Sequence, residues 1–318
     1  MSTFLITGGT GFIGSHLSRE LVNRGNDVVL FDIVVDRPSI RDIYDGVEVV
    51  RGDVTDSIKL FEVAKRFEID AIIHYAALLS SAAESDPQLA FKTNFNGLWN
   101  VFEVARVMDI ESIIFASSVA AYGIDVSEIV REDMYTIPRT LYGISKQLGE
   151  MLGLWFYDKY GIYYAGLRYG SVIGPGRRDG GASAYSTLII QKPAQGDPYV
   201  VNVSRDVRMP MIYVKDAVDA TLTVHYNIKR LKSRVYNLAT LAPNAGELGD
   251  EVKRQIPNAE ITFCPDLEAT RIVNSWPRSL DVNRLNSEIV WKPKYGSVES
   301  LVKDFIIEIK QHLDVYKV

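Results

Sequence analysis

A tyrosine and a lysine four positions apart, Tyr142 and Lys146, are well suited to acid–base chemistry. They lie near the start of a predicted helix, where residues four apart share one face. A phenol with an ordinary pKa near ~10 is a weak base at neutral pH, but a neighbouring ammonium favours its phenolate form. The pair therefore suits removal of a proton from an alcohol. The alternative is an amphipathic helix that carries both side chains on one side without a chemical role.

Two adjacent serines, Ser117 and Ser118, follow an apolar run that predicts a strand over residues 112–116. A serine hydroxyl at the end of a strand can hydrogen-bond a substrate hydroxyl and stabilise an alkoxide as charge develops. Adjacent serines also occur in ordinary loops, so alone they are weak evidence for a catalytic serine.

Three glycines at a spacing of three, Gly8, Gly11 and Gly14, separate an apolar strand from an amphipathic helix predicted over residues 12–24. The first glycine permits a tight turn, the second lets the backbone approach a pyrophosphate, and the third lets the helix pack close to the strand. The free N–H groups and partial positive charge at the helix start attract phosphate. The segment predicts a dinucleotide-binding turn.

An acid, Asp32, ends the second apolar run of the chain. A carboxylate at the tip of this strand can accept hydrogen bonds from the adenosine ribose hydroxyls. Because it would also repel a 2′-phosphate, it favours NAD over NADP. The alternative is a solvated loop acid.

Strands and helices alternate through the first half of the chain. Strands are predicted at residues 4–6, 28–31, 47–51, 70–74, 112–116 and 163–168, and helices at 12–24, 55–67, 87–108 and 142–160. This order predicts an α/β fold with a doubly wound parallel sheet, a Rossmann fold. Ligands bind such sheets beyond the carboxyl ends of the strands. The residues expected to converge there are Gly8, Asp32, Asp53, Ala76, Ser117 and Tyr169.

The second half of the chain changes character. Residues 170–208 are rich in glycine and proline, which predicts loops. Regular elements return as helices near residues 216–226, 247–255 and 298–313 and a strand at 235–238. We expect a Rossmann domain with the catalytic residues over 1–170, and a smaller substrate-binding lobe over 171–318 that is interleaved with the sheet.

Composition excludes several classes of protein. The 318-residue chain has a formal net charge of −5, which argues against nucleic-acid or anionic-membrane binding. A single cysteine, Cys264, excludes an internal disulfide, and four scattered histidines predict no metal site. No stretch approaches the ~20 apolar residues that span a bilayer, and the chain begins on a predicted strand instead of a signal peptide. These features predict a cytoplasmic protein.

Seven segments follow one another in order over residues 1–175: TGGTGFIG, Asp32, Gly52-Asp53-Val54, His74-Tyr75-Ala76-Ala77, Asn94, SSVAAYG and YGISK. This ordered set resembles the extended short-chain dehydrogenase/reductase family, which contains the NAD-dependent epimerases and dehydratases. The resemblance implies NAD as the cofactor. It also implies a homodimer in which the helices at 87–108 and 142–160 pack against their copies.

The same resemblance implies roles for individual residues. Ser118 would steady the substrate oxygen, Tyr142 would be the base, and Lys146 would contact the cofactor ribose and tune Tyr142. The implied NAD contacts are Gly8, Gly11, Phe12, Ile13, Gly14, Asp32, Asp53, Val54, Ala76, Ala77, Leu78, Asn94, Ser117, Tyr142, Lys146 and Tyr169.

The second half resembles the short-chain type of L-threonine 3-dehydrogenase at residues 180–185, 208–217 and 274–281, and sugar-acid dehydrogenases of the same branch at 180–208. A small carboxylate substrate needs a cation in the cleft, and arginine is its natural partner. Arg208 is the favoured candidate, with Arg177 and Arg178 as alternatives. The predicted substrate contacts are Ser80, Ser118, Tyr142, Ser183, Arg208 and Trp276.

Together these signals predict an NAD-dependent dehydrogenase that oxidises a secondary alcohol of a small polar substrate. The alternative is an NDP-sugar 4-epimerase that keeps its NAD bound, and the two differ because only the dehydrogenase accumulates NADH. A third interpretation, a non-catalytic nucleotide-sensing protein, is disfavoured by the presence of Ser118, Tyr142 and Lys146.

Overall fold

The computed structural model describes residues 2–35, 38–123, 127–177 and 183–316. The strands are β1 (Thr3–Thr7), β2 (Asp27–Asp32), β3 (Glu48–Arg51), β4 (Ala71–His74), β5 (Ser112–Ser118), β6 (Ile129–Val130), β7 (Tyr163–Tyr169), β8 (Ser171–Ile173), β9 (Tyr199–Val201), β10 (Met211–Tyr213), β11 (Val235–Leu238), β12 (Ile261–Phe263) and β13 (Ser279–Leu280). The α-helices are α1 (Phe12–Asn23), α2 (Ser57–Arg66), α3 (Ser80–Ser85), α4 (Pro87–Phe91), α5 (Leu98–Val107), α6 (Leu141–Tyr160), α7 (Tyr185–Ala194), α8 (Val214–Tyr226), α9 (Ala245–Gln255), α10 (Leu267–Asn274), α11 (Asn283–Glu288), α12 (Val298–Gln311) and α13 (Leu313–Tyr316).

Seven of these strands form one parallel sheet in the order β11-β7-β5-β4-β1-β2-β3. Strands β2 and β3 are added on one side of β1. Strands β4, β5, β7 and β11 are then added in turn on its other side. The predicted doubly wound parallel sheet is therefore confirmed. The direction reverses between β1 and β4, and the crevice at such a reversal is where ligands bind in folds of this kind.

The sheet divides the core into two layers. Phe4 and Ile6 of β1 pack toward α1, α8 and the second half of the chain, whereas Leu5 packs toward α2, α5 and α6. Strands that are covered on both faces need no polar alternation, which explains the continuous apolar runs in the sequence. Every helix in the described part of the chain is too short or too polar to cross a membrane.

The predicted helix over residues 87–108 is interrupted. The chain runs from α4 into a π-helical segment, Lys92–Gly97, and only then into α5. A π turn inserts an extra residue, and such turns occur frequently at functional sites. Here the segment carries Asn94, whose amide reaches the backbone of Leu78.

The glycine- and proline-rich segment after residue 170 is more regular than predicted. In addition to β8 and β9, this segment contains α7 between them. Helix α7 has several β-branched residues and carries Pro193 in its last turn. Local propensity is unfavourable for a helix there. Burial explains the helix, because most side chains of α7, from Tyr185 to Ala194, are enclosed by the second half of the chain.

Helix α6 lies unusually close to the sheet because glycines face it. A Cβ at Gly149 would lie 2.3 Å from the ring of Phe115, and one at Gly153 would lie 2.2 Å from the ring of Tyr164. At the start of the helix, a Cβ at Gly143 would lie 2.4 Å from the carbonyl oxygen of Ala120. A larger residue at Gly149 or Gly153 would move the helix off β5 and β7, and one at Gly143 would move it off the turn at Ala120.

We expect Gly153→Ala to lower the free energy of unfolding by about 1–2 kcal/mol. Overpacking against Tyr164 costs about 1–3 kcal/mol, which exceeds the gain of up to about 1 kcal/mol in helix propensity. The matched control is Gly249→Ala in α9, where the nearest atom to the new Cβ is a flexible Ile189 methyl at 3.3 Å. Urea denaturation gives the free energy of unfolding of both variants. A Gly153→Ala protein as stable as the parent would contradict the close-packing argument.

Candidate active site

The glycine turn after β1 is built by close backbone approach. Gly8 has φ +69°, in the left-handed region, and a Cβ there would lie 2.8 Å from the backbone nitrogen of Ala76. A Cβ at Gly14 would lie 2.5 Å from the carbonyl oxygen of Gly8. The turn therefore fits glycine alone, and it brings the loop after β4 against the start of α1.

The start of α1 is suited to a phosphate group. Among the described residues no side chain caps the helix at Gly11, and the N–H of Gly11 turns back to the carbonyl of Gly8 at 3.0 Å. The following N–H groups, at Phe12 and Ile13, belong to the first turn, where a helix has no internal acceptors. With no side chain on Gly11, a pyrophosphate can reach these donors. This cradle fits the cofactor that the sequence predicts.

Asp32 lies at the end of β2 and is buried. Its carboxylate accepts hydrogen bonds from the backbone N–H groups of Thr10 and Val34, both at 3.2 Å. These two bonds fix the carboxylate beside the glycine turn. The position is the one expected for recognition of a ribose.

Asp53 and Val54 follow β3. The carboxylate of Asp53 accepts the N–H of Thr55 at 2.9 Å, and buried Val54 packs against Gly97, where a Cβ would lie 2.5 Å from a Val54 methyl. The π-helical segment thus supports this loop from behind. Both residues lie at the same edge of the sheet as Asp32.

The loop after β4 contains Ala76, Ala77 and Leu78. Asn94 donates to the carbonyl of Leu78 at 2.9 Å and accepts its N–H at 2.8 Å, which makes a two-point clamp on the backbone. The Asn94 amide also lies 3.5 Å from the hydroxyl of Ser145 on α6. Asn94 therefore ties the loop to the helix that carries Tyr142.

The two serines at the end of β5 face different partners. Ser117 donates to the carboxylate of Glu150 at 2.5 Å, whereas the hydroxyl of Ser118 accepts the N–H of Ala120 at 3.2 Å. Ser118 is half-buried and begins the short 3-10 helix Val119–Ala121. It is therefore the more accessible serine of the two.

Lys146 is buried on the sheet-facing side of α6. Its ammonium lies 4.9 Å from the ring centroid of Phe115 and 5.2 Å from that of Tyr142. Burial lowers the pKa of Lys146 to about 7, and burial with the nearby lysine lowers the pKa of His74 to about 3. His74 is held by the hydroxyl of Thr7 at 2.6 Å. The structure thus brings Tyr142 and Lys146 together, as predicted from their spacing.

Tyr169 ends β7, next to Ser118 in the sheet register. Its ring is buried, and its hydroxyl lies 2.6 Å from that of Thr221 and 3.5 Å from that of Tyr75. Burial raises the pKa of Tyr169 well above the usual value. The side chain belongs to the core, so a cofactor contact at this position would come from its backbone.

The predicted substrate residues lie in two places. Arg177 donates to the hydroxyl of Ser183 at 2.7 Å and to Ser171 at 3.1 Å, beside β8. Arg208 instead donates to the carbonyl of Ala242 and, at 2.9 Å, to the carboxylate of Glu247.

The remaining substrate candidates are dispersed. Ser80 begins α3, and Trp276 is half-buried against the core of the second half. Arg178 and residues 180–182 lie outside the described residues. Within the described ranges no cluster of His, Cys, Asp and Glu side chains is suited to a metal.

Sequence reasoning missed a buried ion pair behind these residues. Glu150 and Arg168 face each other between the middle of α6 and β7, each about 6% exposed. Two signals could have indicated it: Glu150 is four residues after Lys146, on the same helical face, and Arg168 is a charged residue inside an otherwise apolar strand.

A glycine turn before a helix, a buried acid at the end of β2 and a Ser-Tyr-Lys set at the carboxyl edge of a parallel sheet are typical of an NAD-dependent oxidoreductase of the Rossmann class. The family model described as NAD dependent epimerase/dehydratase family matches residues 4–239. The chain belongs to this family, and it is an enzyme of the extended short-chain dehydrogenase/reductase type.

Individual relatives agree with this assignment. The mitochondrial L-threonine 3-dehydrogenase of Bos taurus is 31% identical over 300 residues, which cover 93% of this chain and 79% of that protein. A solved L-threonine dehydrogenase from Cupriavidus necator has a TM-score of 0.89 at 29% identity and covers 96% of this chain and 99% of its own. UDP-glucose 4-epimerase from Thermotoga maritima, with a TM-score of 0.85 at 24% identity over 98% of this chain and 99% of its own, shares the fold.

We expect Asp32→Asn to weaken NAD binding about tenfold or more and to narrow the preference for NAD over NADP. The amide keeps one acceptor oxygen but loses the charge that strengthens bonds to the ribose and repels a 2′-phosphate. Asp27→Asn, at the exposed start of the same strand, is the control and should leave both affinities unchanged. Calorimetric titration with each dinucleotide measures the change, and an unaltered preference would exclude this role for Asp32.

Proposed function

We propose that Tyr142 is the base of this dehydrogenase and that Ser118 hydrogen-bonds the oxygen of a secondary alcohol. The observation that carries the proposal is the position of Lys146, which is buried against Phe115 with its ammonium 5.2 Å from the Tyr142 ring. A cation in this place favours the phenolate that accepts the hydroxyl proton. NAD, when bound, supplies the hydride acceptor.

We further propose that residues 1–170 hold the cofactor and the reacting groups while residues 171–318 contribute the substrate contacts. L-threonine is the first candidate substrate, with 2-amino-3-oxobutanoate as its product. Support comes from the relatives named L-threonine dehydrogenase. Cytoplasmic location belongs to the same proposal and rests on the acidic composition and lone cysteine.

Of the two candidate arginines that the structure describes, Arg177 and Arg208, Arg177 is the better partner for the substrate carboxylate. It follows the turn at Gly174, where a Cβ would lie 3.2 Å from the ring of Phe12 in the nucleotide-binding helix, and it is oriented by Ser171 and Ser183. Arg208 lies instead against the carbonyl of Ala242 and the carboxylate of Glu247, beside the start of α9. Arg177 is therefore the residue closer to the cofactor.

We expect Tyr142→Phe to lower kcat by about 100-fold or more, because general base catalysis contributes about 10²–10⁴. The affinity for NAD should change little. Tyr135→Phe, at a tyrosine that is 92% exposed, is the matched control and should keep full activity. The assay follows NADH absorbance with L-threonine, small hydroxy acids and UDP-sugars.

The outcomes of this assay separate the candidate functions. NADH accumulation with L-threonine supports the proposal, and accumulation with a hydroxy acid alone shifts the substrate to the sugar-acid class. Epimerised UDP-sugar without free NADH would establish the epimerase instead. Full activity in Tyr142→Phe would remove the base assignment, and no turnover of any kind would revive the nucleotide-sensing interpretation.

We propose that the protein is a homodimer formed by α4, α5 and α6. Large apolar side chains on these helices are exposed in the single chain: Leu89, Phe91, Trp99, Ile144, Met151, Leu154 and Trp155. Trp99 and Trp155 stack with ring centroids 6.5 Å apart, so the exposed residues of the two long helices form one surface. Contiguous apolar surface of this kind marks a protein interface, and a second copy would cover it with the same helices.

We expect Met151→Glu to convert the dimer to a monomer, since it places a charge at a side chain that is 63% exposed within this surface. Leu267→Glu in α10, at a leucine that is 87% exposed elsewhere, is the control and should leave the assembly unchanged. Sedimentation velocity gives the mass of each. A parent protein that is already a monomer at micromolar concentration would refute the dimer.

A further inference from the structure

Glu150 and Arg168 form a buried, two-point ion pair between α6 and β7. Arg168 donates through Nε to one carboxylate oxygen of Glu150 at 2.8 Å and through NH2 to the other at 2.7 Å. Both side chains are about 6% exposed. Paired guanidinium and carboxylate planes fix direction as well as distance.

Each partner also contacts the segment that surrounds Ser118. The hydroxyl of Ser117 donates to Glu150 at 2.5 Å. The guanidinium of Arg168 lies 4.5 Å from the ring centroid of Tyr122, which is anchored in turn by a 2.7 Å hydrogen bond from its hydroxyl to Asn237. The pair therefore contacts the chain both before and after Ser118.

On α6 the pair lies directly behind the proposed base. Tyr142, Lys146 and Glu150 are spaced by four residues and lie along one side of the helix. Glu150 is about 12 Å along the axis from Tyr142 at about 1.5 Å per residue. One ion pair thus connects the helix that carries the base with the turn that carries the serine.

We propose that Glu150 and Arg168 are positioning residues that hold the Ser118 turn and helix α6 in their reacting arrangement. The proposal rests on the assignment of Ser118 and Tyr142 as reacting groups. Hydrophobic residues of similar volume can replace a buried ion pair with little loss of stability, so stability alone does not require these two side chains. Their direct contacts with both reacting segments give them a second role.

The pair itself adds no net charge to the region behind Tyr142, where Lys146 also lies. Removing Glu150 alone would leave an unbalanced cation there, and removing Arg168 alone would leave an unbalanced anion. The other charged or titratable groups around α6 and the pair are Glu84, whose carboxylate accepts the N–H of Leu141, together with Lys146, His74, Tyr122, Tyr164, Glu132 and Arg284. None of these residues is substituted in the variants below, so midpoint shifts of opposite sign in the two single variants would originate in the change of charge at the pair.

The first measurement is steady-state turnover of Glu150→Gln, Arg168→Met and the double variant. We expect kcat to fall about 10- to 100-fold in each, as small displacements of reacting groups do, while the dissociation constant for NAD stays within about threefold. Arg234→Met is the matched control: Arg234 is a buried arginine that lies over Tyr157 of α6, far from Ser118. It should lose stability and keep its kcat.

The second measurement needs no substrate. The ultraviolet absorbance of tyrosinate is titrated in the NAD-saturated protein, with each variant compared with the same variant carrying Tyr142→Phe. The Tyr142 midpoint should move down by about 0.5 to 1 pH unit in Glu150→Gln, since a cation favours the phenolate, and up by a similar amount in Arg168→Met. The double variant should return to the parent midpoint. These shifts report the charge of each partner, and the positioning role is read from the double variant, whose kcat should stay low although its midpoint is restored. A merely structural pair would give the double variant the parental kcat.

The outcomes separate this proposal from the proposed function. Retained activity in Tyr142→Phe removes the base assignment, whatever the pair does. An inactive Tyr142→Phe with parental kcat in Glu150→Gln and Arg168→Met overturns the positioning role alone. Should the single variants not fold, Glu150→Asp and the charge-free double variant replace them: both should keep the Tyr142 midpoint and lose kcat, and full kcat in both would overturn the proposal.

Discussion

The close approach of α6 to β5 and β7 is the constraint on which the rest of the site depends. It exists because Gly149 and Gly153 present no side chain to the sheet and Gly143 presents none to the turn at Ala120. At this short separation Lys146 is enclosed against Phe115, and Glu150 reaches Ser117. A helix held farther away by larger residues would leave the amine in water and the serine turn without its anchor. Backbone contact, which carries no chemistry itself, therefore sets the electrostatics of the reacting groups.

Close backbone contacts also connect the nucleotide turn with the segments on either side of it. Gly8 lies against the backbone of Ala76, and Gly174 lies near both Val214 and Phe12. The nucleotide turn is thus in contact with the loop after β4 on one side and with the segment leading to Arg177 on the other. Because the sheet reverses its strand order between β1 and β4, this meeting point is also where an open parallel sheet leaves a crevice. The strand order and the glycine contacts therefore locate the cleft at the same point of the sheet.

Features determined within a few residues were predictable from the sequence. The glycine turn, the acid that ends β2 and the Tyr142–Lys146 spacing each have a local physical signature. The fold was predictable from the alternation of apolar strand segments with amphipathic helix segments. The features that were missed depend on contacts distant in the chain. Helix α7 forms against its own propensity because the second half encloses it, and the Glu150–Arg168 pair joins residues from separate elements. The π segment was missed because its Asn94 is fixed by Leu78, sixteen positions away.

The burial of Lys146 between α6 and β5 has a thermodynamic consequence. With its pKa lowered to about 7, Lys146 is only partly protonated at neutral pH. Any ligand that favours its charged form raises that pKa and must draw a fraction of a proton from solvent as it binds. Affinity for such a ligand then weakens as the pH rises through 7, and the heat of binding includes the ionisation heat of the buffer. For such a ligand, occupancy of the cleft and the protonation of this amine are linked.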